Sequence, residues 1–174
     1  MRRIFIVILI AILILIPGCT QENSNYEVGD MKLTSPVFEH NQMIPTKYTC
    51  QREDISPPLE ISEIPEEAKS LALLVDDPDA PMGTWVHWVV CGITPDKTRI
   101  EEGEVPGKQG ENNFGKLDYG GPCPPSGTHR YYFKLYALDF EPNLSEGYGK
   151  KDLLREIDGH VIEKTELIGL YERI

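Results

Sequence analysis

No run of basic residues occurs anywhere in this 174-residue chain, in which 17 Lys and Arg stand against 28 Asp and Glu for a formal net charge of -11. Nucleic acids and anionic membrane surfaces are held by clustered Lys and Arg, so the chain lacks the electrostatic footprint of either partner. Long hydrophobic runs are also missing. The one extended apolar stretch, Ile4 to Ile16, is thirteen residues long, short of the ~20 that an α-helix needs to span a bilayer. No internal repeat is evident, which sets aside solenoids and propellers. What is left is a stretch of roughly 145 residues after the N-terminal segment, enough to bury one sizeable core as a single domain.

The N-terminal segment has its own logic. Met1-Arg2-Arg3, the apolar run and then Pro17-Gly18-Cys19 supply the charged, apolar and small-residue regions of a signal peptide. Ile16-Pro17-Gly18-Cys19 further resembles a lipobox, in which the Cys receives a lipid after cleavage, although Pro17 departs from that pattern. The expected organisation is therefore a leader over residues 1–19 with lipidation at Cys19, a polar flexible tether over residues 20–30 and one domain over residues 31–174. An uncleaved anchor is the alternative. Either way the domain is expected outside the cytoplasm at the cell envelope, and losing Arg2 and Arg3 with the leader takes the net charge from -11 to -13.

Two polar clusters interrupt otherwise apolar segments. In Gly120-Gly121-Pro122-Cys123-Pro124-Pro125-Ser126-Gly127-Thr128-His129-Arg130-Tyr131, a stiff Gly/Pro loop feeds a strand that opens with polar groups. Period-two alternation puts His129, Tyr131, Phe133, Leu135 and Ala137 on one face and turns Arg130 to the other. Upstream, the apolar run Ser70 to Val75 stops at Asp76-Asp77-Pro78-Asp79-Ala80-Pro81. Pro78 and Pro81 fix two φ angles and hold Asp77 and Asp79 in a rigid turn. The following strand, Trp85 to Cys91, is apolar on both parities, which makes His87 its anomaly. A buried His needs a partner, and the carboxylates nearby are the candidates.

These clusters together resemble the phosphatidylethanolamine-binding protein family, also called Raf kinase inhibitor-like proteins, and most closely its bacterial and archaeal YbhB/YbcL branch. The resemblance is carried by Asp77-Pro78-Asp79-Ala80-Pro81, by Trp85-Val86-His87-Trp88 and by Gly120 to Tyr131, with Asp54-Ile55-Ser56-Pro57-Pro58-Leu59 as a further match. It covers about Leu33 to the C-terminus. It implies a small anion-binding pocket using Asp77, Asp79, Pro81, His87, Gly121, His129 and Tyr131. Many eukaryotic members carry a second His directly before the pocket His; here that position is Val86, so the role of that extra His does not transfer. Of the three cysteines beyond Cys19, Cys91 alternates onto a buried strand face as an apolar filler. Cys50 and Cys123 sit in loop-like sequence beside the segments that match the family, and a disulfide between them is expected, with three free thiols as the alternative.

Strands are predicted over Lys32–Phe38, Leu59–Ile61, Leu71–Asp76, Val86–Ile93 and Arg130–Leu138. The connection from Glu101 to Thr128 is far longer than the usual 4 to 6 residues and is expected to be functional. Leu153, Leu154, Ile157, Val161 and Ile162 suggest one helix over Lys151–Leu167 despite Gly159, followed by a short strand, Ile168–Tyr171. The predicted fold is mostly β: an antiparallel Greek-key-type sandwich with a peripheral C-terminal helix, as the family resemblance also implies.

Two carboxylates and two imidazoles would suit a metal, but their spacing matches no metal motif, and the resembled family holds phosphate-like anions without one. No metal or cofactor is expected. Ser126, in Pro-Pro-Ser-Gly, is not on the strand-to-helix elbow of Gly-x-Ser-x-Gly hydrolases. The expected activity is capture of a small phosphorylated or anionic ligand by an envelope lipoprotein that is not an enzyme. In such a pocket a carboxylate behind each imidazole fixes its tautomer, so that the ring can face the ligand as a donor. Two alternatives are a protein-binding inhibitor or regulator that uses the rim, Glu101 to Ser126, and a weak hydrolase built on Asp77 and His87.

Overall fold

The structure is a computed structural model and describes residues 29–173. The leader, Cys19 and nearly all of the tether lie outside the described residues. Nine strands and one helix follow in chain order: β1 (Lys32–Thr34), β2 (Gln42–Met43), β3 (Leu59–Ser62), β4 (Ser70–Asp77), β5 (Trp85–Ile93), β6 (Arg99–Ile100), β7 (Lys108–Gln109), β8 (Thr128–Leu138), α1 (Lys150–Glu156) and β9 (Val161–Glu172). They form a six-stranded sheet in the order β2-β9-β8-β4-β5-β7 and a three-stranded sheet in the order β1-β3-β6. Every pairing is antiparallel except β2 with β9 at the edge.

β4 is central because it is apolar on both faces, and all eight of its residues are buried. Leu71, Leu73 and Val75 join Phe133, Leu135, Ala137, Trp88 and Val90 in the core between the two sheets, closed by Leu33, Leu59, Ile61 and Ile100. Ala72 and Leu74 face the other way, toward Val86, Val89, Cys91, Tyr136 and Leu138, where Leu153 of α1 and Ile157 just past its end form the lid. Period two thus splits one strand between two cores. Asp76 ends the second face. It is fully buried and accepts Lys134 Nζ at 2.7 Å and Lys150 Nζ at 2.6 Å, the pairing that a buried carboxylate requires.

The long C-terminal helix is corrected. Helix α1 stops at Glu156, Gly159 takes a left-handed φ of 77°, and the chain returns as a twelve-residue strand, β9, paired with β8 from Thr128↔Glu172 to Leu138↔Val161. Gly159 reaches that conformation without a Cβ penalty. The β-branched Val161, Ile162, Thr165 and Ile168 then suit the pleated edge of β8. The expected first strand is likewise shorter, ending at Thr34 rather than Phe38. Among the described residues no helix is long and apolar enough to cross a membrane.

Candidate functional site

At the end of the six-stranded sheet where β4 runs out, a cavity of about 390 Å³ opens between Asp77, Pro81, Met82, Trp85, His87, Phe114, Cys123, Pro124, Pro125 and Tyr131. Its walls are mainly apolar, with few polar groups converging on it, the usual make-up of a small-ligand site.

His87 arrives there through a bulge. Val75 lies opposite Trp88 and Asp76 opposite Val86, so His87 is an extra residue with no counterpart on β4. The consequence is a change of face: Trp88 packs in the core between the sheets, whereas Val86, two residues earlier, packs in the core beneath α1. Bulges re-aim side chains in this way. His87 is thereby brought edge-on to Tyr131, with ring centroids 5.1 Å apart, and to Phe114 at 5.4 Å. Its partner is not a carboxylate. Nδ1 lies 2.5 Å from the Gly120 carbonyl oxygen, while the Gly120 N–H donates back to the His87 carbonyl at 2.9 Å. Since a carbonyl only accepts, Nδ1 carries the proton and the neutral ring keeps its lone pair on Nε2. Burial pushes the pKa of His87 down, and the Gly120 carbonyl and the Asp77 charge offset this only in part.

The carboxylate that the sequence offered to His87 is used by His129. Asp77 Oδ2 is 2.7 Å from His129 Nδ1, and Asp77 Oδ1 accepts the Asp79 N–H at 2.8 Å. Both Asp77 and His129 are buried. Asp79 turns outward from the pocket. It receives Arg130 through its backbone N–H at 3.0 Å, Nε at 2.9 Å and Nη2 at 2.7 Å. That fork holds the Asp79 carboxyl down at a pKa of about 2, and it ties the turn after β4 to the start of β8.

Tyr131 places its ring in the wall, but its hydroxyl is buried without a hydrogen-bond partner among the described residues, as is the indole N–H of Trp85. Burial and the Asp77 charge raise the Tyr131 pKa; the nearby Cys123 backbone N–H opposes this weakly, although its geometry falls short of a hydrogen bond.

Gly121 lies behind the wall rather than in it. Its N–H donates to Asp54 Oδ1 at 2.7 Å, and a Cβ there would come within 2.7 Å of the Tyr48 carbonyl oxygen and 2.8 Å of Thr49 Cα. Its use is close packing of the 119–123 segment against the 48–54 segment, with the N–H already engaged. The same two segments are joined by the Cys50–Cys123 disulfide and by the Tyr119 hydroxyl, which donates to the Tyr48 carbonyl at 3.0 Å. Cys91 is a free, buried thiol in the opposite core, its pKa raised by burial.

Of the seven residues named from the sequence, Asp77, Pro81, His87 and Tyr131 line the cavity, His129 backs Asp77, and Asp79 and Gly121 brace the two rims. Sequence reasoning did not single out Trp85, Phe114, Met82 or the Pro124-Pro125 pair as wall residues. The Pro pair lay inside the most informative loop, and Phe114 lay in a connection too long to be mere linkage. Among the described residues no group of His, Cys, Asp or Glu is arranged to hold a metal ion.

A family model for the phosphatidylethanolamine-binding proteins matches residues 34–172. A UPF0098 protein of Methanothermobacter thermautotrophicus is 51% identical over 150 residues, covering 82% of this chain and 99% of that protein. One from Pyrococcus horikoshii is 44% identical, covering 99% and 91%. Among solved structures, a phosphatidylethanolamine-binding protein homolog of Chlamydia trachomatis superposes with a TM-score of 0.81 at 46% identity over 83% of this chain and 98% of its own. Escherichia coli YbcL gives 0.78 at 29% identity over 84% and 100%. The matched span begins within β1 and ends with β9, so the sandwich, the bulge at His87 and both rims fall inside it, and the chain belongs to the phosphatidylethanolamine-binding protein family.

Proposed function

We propose that the domain is a binding module, not an enzyme, that captures the phosphoryl group of a small phosphorylated ligand such as a phospho-headgroup. We further propose that it is displayed at the cell envelope by a lipid on Cys19. The observation that carries the ligand reading is the convergence of His87, Asp77 and Tyr131 on one cavity with otherwise apolar walls, in a chain of this family. Oxygen atoms of a phosphoryl group would meet the His87 Nε2 edge and the hydroxyl of Tyr131, while the carbon part lies against Trp85, Phe114 and the prolines. The one thiol of the wall, Cys123, is held in a disulfide and supplies no free nucleophile.

Because neutral His87 faces the cavity with a lone pair, the complex must hold a proton between ring and ligand. Affinity for a phosphomonoester is therefore expected to rise from mildly alkaline to mildly acid pH, the range in which the ester dianion takes up one proton, near a pKa of about 6. Calorimetric titration with phosphoethanolamine tests this. Saturable binding that weakens strongly in His87→Ala and His129→Ala is expected; no saturable binding, or equal affinity across that pH range, would sink the reading.

A second reading has its own support. Met82 is 95% exposed and Phe114 41%, and both line the cavity, so a partial ring of uncovered apolar side chains stands at its mouth. Such a ring suits a protein segment lying over the mouth. In that case Met82→Ser, which alters a side chain that is almost wholly exposed, would abolish partner binding while leaving phosphoethanolamine titration intact.

A further inference from the structure

The polar groups of the cavity are unevenly supplied with protons. His87 Nδ1–H is committed to the Gly120 carbonyl, which leaves a lone pair on Nε2, and no protein donor among the described residues meets that atom. Asp77 accepts one hydrogen bond from His129 Nδ1 and one from the Asp79 N–H, and the remaining lone pairs of its two oxygens are acceptors as well. Lys and Arg are absent from the wall. The cations paired with the neighbouring carboxylates are engaged outside it: Arg130 by Asp79 on the rim, Lys134 and Lys150 by Asp76 on the opposite face of the sheet. An anion built only of lone pairs would face acceptors and a carboxylate, with no fixed positive charge in the wall to offset the repulsion.

We infer that the pocket selects a tetrahedral oxyanion that still carries a proton, a phosphoryl group with a P–O–H, over an oxyanion of the same size and charge that carries none, and that Asp77 sets this selection. The inference rests on the phosphoryl reading above and narrows it. The P–O–H donates to the acceptors of the wall, His87 Nε2 or an Asp77 oxygen. The other oxygens of the ligand turn to the unpartnered donors, the Tyr131 hydroxyl and the Trp85 indole N–H. A carboxylate beside a bound anion is then a selective element rather than a defect: it rewards a ligand with a hydrogen to give and penalises one without.

The test is a calorimetric titration of the full chain in detergent with inorganic phosphate and with sulfate at one mildly alkaline pH. There both are tetrahedral dianions, and phosphate alone keeps a proton. Phosphate is expected to bind at least about tenfold more tightly than sulfate, the scale of one unmet hydrogen bond to a charged group. Asp77→Asn, whose amide offers N–H in place of lone pairs, is expected to narrow that ratio by strengthening sulfate relative to phosphate. If that variant does not fold, the wild-type ratio decides alone. Sulfate binding as tightly as phosphate would overturn the inference and leave the phosphoryl reading standing. Binding of neither anion, nor of phosphoethanolamine, would remove the phosphoryl reading itself.

Discussion

A proton reaches His87 more easily in the unfolded chain than in the folded one. Burial holds the folded pKa below the ordinary 6.5, so below that pH the unfolded state binds a proton that the folded state refuses. Stability contributed by the neutral ring is therefore fully present above about pH 6.5 and is lost progressively as pH falls from there toward the lower folded pKa. The difference in urea unfolding free energy between wild type and His87→Phe, followed from neutral to mildly acid pH, is expected to move in favour of the variant on acidification. A pH-independent difference would show that the ring does not resist protonation. How far this residue could be read from sequence is instructive. That the His in Trp85-Val86-His87-Trp88 is buried and needs a partner was legible; the partner was not, because it is a backbone carbonyl 33 residues downstream, and carbonyls carry no sequence signature. A carboxylate was expected behind each imidazole: His129 has one in Asp77, whereas His87 has the Gly120 carbonyl instead.

Elements with one strong period were legible, and those whose signal was shared or too short were not. β4, β5 and β8 were found nearly whole because alternation and burial repeat over eight or more residues. β9 was found only over Ile168–Tyr171, because Leu153, Leu154, Ile157, Val161 and Ile162 continue a helical spacing by accident past the end of α1, and the break lies in Gly159 alone. β2, β6 and β7 have two residues each, too few to hold any period. Between elements, the meeting of the 119–123 and 48–54 segments sets the position of the cavity wall, and Gly121 is its tightest point. Gly121→Ala is expected to cost about 1–3 kcal/mol, since overpacking must push two backbones apart. Gly127→Ala meets no atom within 4 Å and strains only a φ of 68°, so it should cost about 1 kcal/mol. Thermal melts of the two variants decide the order; an equal or smaller loss for Gly121→Ala would mean that the segments are not in close contact.

At the scale of the whole molecule, the Cys50–Cys123 bond joins residues 73 apart in sequence, and that span encloses β3 to β7. Closing so long a loop removes much of the freedom of the unfolded chain. The double variant Cys50→Ser/Cys123→Ser is therefore expected to lose about 2–4 kcal/mol in denaturant unfolding. A loss near zero would show that the unfolded chain is already restricted there. The family resemblance made the sandwich legible in the sequence. The sheet order was not, because β4 takes β8 as its second neighbour through contacts that span more than fifty residues.

The two ends of the described chain lie at opposite poles. Met31 donates its backbone N–H to Glu163, which is paired with Ala137 and through it with Leu71 at the start of β4; the last residue of β9, Glu172, is paired with Thr128 beside the cavity. From Leu71 to Asp77 is about 20 Å at the usual rise of a strand. Coupling through the N-terminus, whether to a bilayer, a bead or a sensor chip, would leave the cavity at the free end of the particle, whereas a bulky fusion at the C-terminus would stand beside its mouth.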